Sequence, residues 1–141
     1  MIDKYLTEKK LLKIEGFLRE IEREDAPVDY TAFSKNIVFK RFIERNIELA
    51  IEQMIDVCKH FVSGLDLQAP ETYAQCFEVL GESGVIHHDD VKIFKSMAGY
   101  RNMIIHGYDD VDDAITYGIY KKRLKDFRIF IQTIRKYIKK I

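Results

Sequence analysis

Apolar residues recur at intervals of three and four along most of this chain, and this spacing constrains the fold more than any other feature. The longest such segment includes Phe39, Ile43, Ile47, Met54 and Phe61. The spacing places these side chains on one face of a helix. Only two prolines interrupt the 141 residues, and proline is the residue that a helix interior tolerates least. We therefore expect an all-α fold.

The first two helical segments are separated by residues that break the apolar pattern. The first helix is expected between Met1 and Arg23, and the pattern breaks at residues 26–29. The second helix is long, passes through the apolar segment described above and is expected to end near Ser63 and Gly64.

Two further helices follow before the charged end of the chain. Pro70 favours the first turn of a third helix, which Gly81 and Gly84 are expected to close. Either of the adjacent aspartates Asp89 and Asp90 can cap a fourth helix by accepting hydrogen bonds from its free backbone N–H groups. With a fifth helix near the end of the chain, these segments predict one domain over the whole sequence, a four- to five-helix up-and-down bundle.

The fifth helix carries a heptad pattern. Its apolar residues alternate in steps of four and three, at Tyr120, Leu124, Phe127, Ile131, Ile134, Ile138 and Ile141. A repeat of 3.5 residues is what two helices packing along their length require. The stripe can therefore face the rest of the bundle, which we favour, or a second copy of the chain.

Charge is segregated along the chain although the net charge is zero. The stretch that follows residue 120 is basic and contains one acid, Asp126; its cations are Lys121, Lys122, Arg123, Lys125, Arg128, Arg135, Lys136, Lys139 and Lys140. Residues 42–113 are predominantly acidic. Such segregation suits a polyanion or an oppositely charged subunit, but a solvated helix face, which we favour for any run of charge, also explains it.

The two cysteines and the hydropathy pattern indicate the compartment. Cys58 and Cys76 lie in apolar helical patterns without metal-ligand spacing, so we interpret both as packing residues. No basic start precedes an apolar run, and no stretch of about 18 apolar residues occurs, so we expect neither a secretion signal nor a membrane span. The expected location is the cytoplasm.

Arg101 interrupts the apolar stripe of the fourth helix, which includes Phe94, Met97 and Ile104. A guanidinium on such a face is unfavourable unless it is paired or opens onto a polar cleft. Arg101 is therefore either a structural cation or a functional one. Its candidate partners are the carboxylates of the second helix, Glu48, Glu52 and Asp56, and the sequence does not choose among them.

His106 is expected in the last turn of the same helix, because Gly107 can adopt the left-handed conformation that ends helices. Asn102, four residues earlier on the same face, can hydrogen-bond the imidazole. Arg101 and His106 lie about 140° apart around an ideal helix, so one unbroken helix does not bring them together.

An arginine and a histidine supply the groups that metal-free RNA cleavage requires. One group must take the 2′-OH proton, another must protonate the leaving 5′-oxygen, and a cation must stabilise the crowded phosphate. An arginine and histidine at this spacing alone are weak support. The neighbouring residues make the pattern specific: the full string is Arg101-Asn102-Met103-Ile104-Ile105-His106-Gly107-Tyr108.

This string resembles the signature of the HEPN superfamily, and its tyrosine resembles that of HepT-type toxins. Residues 44–56 and 73–80 resemble the second and third helices of that family. The similarity thus spans most of the chain, although only the fourth-helix motif is specific.

The resemblance implies a HEPN-like bundle and a homodimeric, metal-independent endoribonuclease without a cofactor, the toxin of a type VII-like toxin–antitoxin pair. Arg101 and His106 of both subunits would meet at one cleft as the catalytic pair, with Asn102 in support. The implied partner is a minimal nucleotidyltransferase antitoxin that AMPylates Tyr108, where added bulk and negative charge would block RNA. Met103 stands where the family usually has Arg or Lys, which predicts weaker RNA binding.

Other polar clusters are expected to be structural. His87 and His88, followed by two aspartates, include metal-ligand types, but adjacent histidines point apart and no matching ligand cluster is recognisable, so we expect no metal. The acidic turn at residues 109–113 is explained by helix capping or by contact with a basic partner. Tyr100, Tyr117 and Tyr120 can stack on bases but are expected in the core.

A second hypothesis stays open from the sequence. The chain can instead be a non-catalytic helical module that binds a nucleotide or docks onto a nucleotidyltransferase, because arginine and helix termini also bind phosphate.

Overall fold

The computed structural model describes residues 1–24, 29–107 and 111–141, and these residues form an all-helical fold without strands. Five helices have ten residues or more: α1 (Lys4–Arg23), α3 (Ile37–Gly64), α4 (Tyr73–Glu82), α5 (His88–Ile105) and α7 (Leu124–Lys140). Two six-residue helices, α2 (Tyr30–Lys35) and α6 (Asp113–Gly118), lie in the connections. The predicted all-α bundle is confirmed.

The long helix α3 is the centre of the bundle. It packs against α1 on one side and against α4 and α5 on the other, while α7 packs on α1. One contiguous cluster of buried apolar side chains joins these helices. Three fully buried phenylalanines, Phe77, Phe94 and Phe130, tie α4, α5 and α7 together with ring centroids 5.3–6.3 Å apart.

Two predicted helix starts are wrong. Pro70 does not begin the third helix, because α4 starts at Tyr73 and the Thr72 hydroxyl caps it by accepting from Gln75 N at 3.0 Å. Neither of the two adjacent aspartates caps the fourth helix. His87 is the N-cap of α5 without a side-chain cap bond, and Asp89 and Asp90 lie in the first turn. In the first turn their negative charges interact favourably with the positive end of the helix dipole.

The end of the second predicted helix is confirmed at Gly64, but the left-handed residue that follows it is not a glycine. Asp66 has a φ of 54°, and Leu67 N donates to Val62 O at 2.9 Å. This bond satisfies a carbonyl of the last turn, as in a Schellman motif. Aspartate is one of the few side chains that adopt this conformation at modest cost.

The fifth predicted helix exists, but it is not regular throughout. A π-helical turn, Ile119–Arg123, links α6 to α7, so the heptad positions before Leu124 do not continue the α7 stripe. Within α7 the side chains of Phe127, Ile131 and Ile134 are buried inside the chain. Packing of this stripe within the bundle is therefore confirmed.

Two arginines of the basic stretch pair within the chain. Arg135 lies 2.6 Å from Glu8 and 2.7 Å from Glu15 on α1, and Arg128 lies 2.5 Å from Glu22. The hydrogen bond with Arg135 lowers the pKa of Glu15 below its ordinary value. Part of the predicted positive surface is thus neutralised by α1.

Helices α4 and α5 approach each other closely at a glycine. A Cβ atom added at Gly81 would lie 2.5 Å from Val91 Cγ2. A β-branched side chain has little freedom to move away. Gly81 therefore sets the distance between α4 and α5, the helix that carries the arginine–histidine motif.

A buried hydrogen bond fixes the other end of α5. The Tyr100 hydroxyl and Thr116 Oγ1 lie 2.9 Å apart, and both residues are buried. Burial raises the pKa of Tyr100 above its ordinary value, so the phenol stays neutral. The bond attaches the C-terminal end of α5 to α6.

No helix in the described part of the chain is long and apolar enough to span a membrane.

Replacing Gly81 by alanine should destabilise the fold, because the new methyl group overlaps Val91. We expect a loss of about 1–3 kcal/mol of unfolding free energy, the range for overpacked cores. Gly16→Ala is the matched control: Gly16 lies within α1 and an added Cβ meets nothing within 4 Å. The Gly16→Ala variant should gain roughly 0.5–1 kcal/mol of unfolding free energy. Urea denaturation measures both, and equal effects of the two substitutions would contradict the close approach.

Removing both partners of the Tyr100–Thr116 hydrogen bond should destabilise the protein less than the two single replacements added together. Tyr100→Phe and Thr116→Val should each lose about 1–2 kcal/mol, because a buried hydroxyl is left unpaired. The double variant should lose less than the sum of the two. Additive losses in a double-mutant cycle, measured by urea denaturation, would show that the hydroxyls are not coupled.

Candidate active site

Arg101 lies one turn before the end of α5 and its guanidinium is incompletely paired. The side chain is 20% exposed, and one terminal nitrogen lies 3.7 Å from Glu52 Oε1. Its Cζ atom lies 5.1 Å from the centre of the Tyr73 ring. The Nε atom is buried and has no hydrogen-bond partner among the described residues. Among the described residues, Glu52 therefore neutralises this cation only partly.

The structure selects one of the three candidate partners on α3. Glu48 pairs with Arg45 at 3.0 Å, and Asp56 pairs with Lys10 at 3.2 Å. Glu52 is therefore the carboxylate left for Arg101. The long, partly exposed Arg101–Glu52 pair is of the kind that contributes about 1 kcal/mol or less, so an incoming phosphate can compete with Glu52.

A polar cavity of about 200 Å³ surrounds this pair. Its lining includes Glu52, Gln53, Lys59, Tyr73 and Arg101. The side-chain oxygen of Gln53 is buried and, among the described residues, also lacks a partner. Unpaired buried polar atoms cost folding energy, and both residues that carry one, Gln53 and Arg101, line this cavity.

A larger groove of about 740 Å³ adjoins this cavity. It runs between the C-terminal end of α3, the loop at residues 65–72 and the start of α4, and Asn102 reaches it from α5. Lys59 and Tyr73 line both the groove and the smaller cavity. The groove volume lies in the range of ordinary small-molecule sites.

His106 is the exposed C-cap of α5. Its backbone N–H donates to Asn102 O at 3.1 Å. Gly107 has a φ of 62°, so the predicted left-handed end of the helix is confirmed. The hydrogen bond from the Asn102 amide to the imidazole stays a prediction. Neither His106 nor Arg101 is enclosed in the core, and Tyr108 lies outside the described residues.

The remaining sequence candidates are packing residues. Cys58 and Cys76 are free, buried thiols, as predicted. Tyr100 is buried, and Tyr117 and Tyr120 pack their rings on Phe33 at centroid distances of 5.3 and 6.1 Å. The core position predicted for the three tyrosines is confirmed.

The acidic turn also has a structural explanation where it is described. Asp112 caps α6 by accepting from Ala114 N at 2.9 Å. Asp113 accepts from Ser34 and from Lys40, which attaches α6 to α2 and α3. Among the described residues, no three His, Cys, Asp or Glu side chains lie together as a metal site would require.

Sequence reasoning missed Tyr73 and Lys59 as site residues. In the sequence, Tyr73 lies in the segment of the third predicted helix and Lys59 in that of the second. Their proximity to Arg101 depends on how α3, α4 and α5 pack. The available signal was that Lys59 lies one helical turn after the candidate partner Asp56 and so shares its face.

The chain is similar over most of its length to known nucleases. The family model described as "Ribonuclease HepT-like" matches residues 11–134. An mRNA nuclease HepT of Shewanella oneidensis is 24% identical over 107 residues, which cover 76% of this chain and 80% of that protein. A tRNA nuclease HepT of Aphanizomenon flos-aquae is 23% identical over 140 residues, covering 97% and 92%.

The fold is similar to that of a solved toxin. A tri-AMPylated HEPN toxin of Shewanella oneidensis, in complex with an MNT antitoxin, superposes with a TM-score of 0.84 at 21% sequence identity; the match covers 96% of this chain and 99% of that one. At this identity the superposition establishes the shared fold. The family model matches most of the chain and therefore establishes the family: the chain belongs to the ribonuclease HepT-like family.

Proposed function

We propose that this protein is a metal-independent endoribonuclease and the toxin of a type VII-like toxin–antitoxin pair, active in the cytoplasm as a homodimer. The observation that carries the proposal is the incompletely paired Arg101 in a polar cavity, on the same helix as the exposed His106. Membership of a ribonuclease family makes RNA the substrate for these groups.

In the proposed reaction, imidazole groups move the protons and guanidinium groups stabilise the phosphate. A neutral His106 takes the proton of the 2′-OH, the 2′-oxygen attacks phosphorus, and the 5′-oxygen leaves with a proton from a second, protonated imidazole. The Arg101 guanidinium stabilises the negative charge that develops on the crowded phosphate. Asn102 supports the imidazole by fixing its orientation.

A homodimer brings Arg101 and His106 together and supplies the second imidazole, which one subunit alone does not do. Residues 101 and 106 lie about 140° apart around a regular helix, and α5 is helical through residue 105. A cleft between two subunits can place the Arg101 side chains and both His106 imidazoles around one phosphate. It also provides one imidazole as base and the other as acid.

The proposed partner is a cognate minimal nucleotidyltransferase antitoxin that transfers AMP to Tyr108. The solved toxin with the same fold is AMPylated and bound to an MNT antitoxin, which supports a partner of this class. A nucleotide attached two residues after His106 would place negative charge where the RNA phosphate must bind, and would repel it.

The first test is RNA cleavage by the unmodified protein in the presence of EDTA. We expect degradation of single-stranded RNA, and a loss of at least about a hundredfold in rate for His106→Ala and for Arg101→Ala. His88→Ala is the matched control, because His88 is exposed at the opposite end of the same helix. Cleavage abolished by EDTA would contradict the proposal.

A measurement of nucleotide binding by the same unmodified protein tests the alternative function. If the dimer binds a nucleotide with measurable affinity and cuts no RNA, the chain is a non-catalytic nucleotide-binding or nucleotidyltransferase-docking module.

The second test is the intact mass of the protein after coexpression with its nucleotidyltransferase. We expect the mass to increase by AMP-sized units, and the increase to disappear in Tyr108→Phe. Tyr5→Phe serves as control, because Tyr5 is 81% exposed and distant in sequence from the motif. An unchanged wild-type mass, or an increase that persists in Tyr108→Phe, would refute Tyr108 as the modified residue.

A further inference from the structure

Tyr73 and Lys59 lie between the cavity that contains Arg101 and the larger groove. The cavity holds the guanidinium proposed to bind the scissile phosphate, and the groove begins on the other side of these two residues. Arg101 Cζ and Lys59 Nζ lie 5.1 and 5.8 Å from the same Tyr73 ring centre, so a single-stranded RNA with a phosphate at Arg101 has its neighbouring nucleotide within reach of Tyr73 and Lys59. The two side chains are therefore placed to contact the neighbouring nucleotide.

The Tyr73 ring is a rigid aromatic surface among cations. Tyr73 is the first residue of α4, partly buried, and packs against the core. Arg101 Cζ lies 5.1 Å and Lys59 Nζ 5.8 Å from its ring centre. Both cations lie close enough to the ring for cation–π attraction. Single-strand-binding proteins combine such rings with positive charge, because every base offers a face for stacking.

Lys59 is available for a phosphate. Its side chain is exposed, and no carboxylate of the described residues lies within the 4.0 Å of an ion pair. The two nearest acids on α3 are already paired, Asp56 with Lys10 and Glu52 with Arg101. Within the described ranges Lys59 thus has no carboxylate partner, and it lies beside a cation that is only loosely paired.

The rest of the groove suits a base better than a phosphate. Asp66 and Glu71 contribute negative charge there, and Val62 and Leu67 contribute apolar surface. Phosphates are repelled by such a lining, whereas a base can stack on it and donate its amino protons to the carboxylates. The groove interior is therefore neutral to acidic and suits a base. The two cations that can bind the RNA backbone, Lys59 and Arg101, lie at the adjoining cavity, which the carboxylates of Glu52 and Asp56 also line.

We propose that Tyr73 and Lys59 form a nucleotide subsite for single-stranded RNA next to the scissile phosphate: the Tyr73 ring stacks on the base, and Lys59 binds the adjoining backbone phosphate. This inference rests on the proposed ribonuclease function and assigns two substrate-binding residues to it. The subsite accepts all four bases, because stacking does not depend on the hydrogen-bonding edge of the base.

The experiment measures binding and cleavage separately, on the unmodified full-length dimer. Binding is measured by fluorescence anisotropy with a 2′-O-methyl oligonucleotide, which lacks the attacking hydroxyl and stays uncut. Tyr73→Leu should raise Kd about tenfold and Tyr73→Phe about twofold or less, because the ring remains in phenylalanine. Tyr5→Leu, on the exposed surface of α1, should leave Kd unchanged.

The salt dependence of Kd tests the lysine. Lys59→Gln should weaken binding and reduce the slope of log Kd against log salt by about 0.7, the value for one phosphate contact in a single strand. Lys9→Gln, on the exposed face of α1, should change neither quantity.

A series of oligonucleotides, each with one base removed, tests the stacking on the wild-type protein, with Tyr73→Leu as the comparison. One abasic position should weaken binding to the wild-type protein, and the same position should make no difference to Tyr73→Leu. Unchanged Kd for both Tyr73→Leu and Lys59→Gln in a dimer that cuts RNA overturns the subsite and leaves the nuclease intact. Binding that depends on Tyr73 in a dimer that cuts no RNA overturns the nuclease and supports the subsite. Absence of RNA binding by the wild type overturns both.

Discussion

The proposed active site depends on how the Arg101 guanidinium is held at the junction of α3, α4 and α5. Arg101 emerges from α5 into a cavity bounded by α3 and α4, where Glu52 approaches it at 3.7 Å and the Tyr73 ring at 5.1 Å. These contacts keep a cation in a partly buried position without saturating it, since Nε has no partner among the described residues. A fully buried and fully paired arginine would be inert, and a fully exposed one would be hydrated and mobile. The intermediate state is suited to transient binding of a phosphate.

The bundle places this group through contacts far from it. The close approach of α4 and α5 at Gly81 and Val91 sets where Tyr73 lies relative to Arg101. At the other end of α5, the buried bond between Tyr100 and Thr116 holds the helix end that carries His106. Helix α5 is thus fixed at both ends, so the imidazole at its C-cap is exposed on a rigid element. Such rigidity is what a site requires when catalysis depends on orientation.

The helical fold could be predicted from periodicity because core packing repeats locally in sequence. The helix ends at Arg23 and Gly64 and the left-handed Gly107 followed from local conformational preferences, and they are confirmed. The prediction of Pro70 as a helix start was wrong because the Thr72 hydroxyl provides a better cap two residues later. The π-helical turn before Leu124 also escaped prediction, since a heptad count does not register an extra residue in one turn. At the site, the motif was visible in the sequence, whereas the choice of Glu52 and the presence of Tyr73 depend on tertiary packing.

In the proposed mechanism, guanidinium and imidazole groups from two subunits act on one phosphate. The most direct measurement is a crystal structure of the unmodified dimer with an RNA oligonucleotide that carries 2′-O-methyl groups and therefore stays intact. We expect the Arg101 and His106 side chains of both subunits to surround the same phosphate group, at hydrogen-bonding distance from its oxygens. A dimer in which the two residues lie on separate surfaces, with the RNA contacting only one of them, would contradict it.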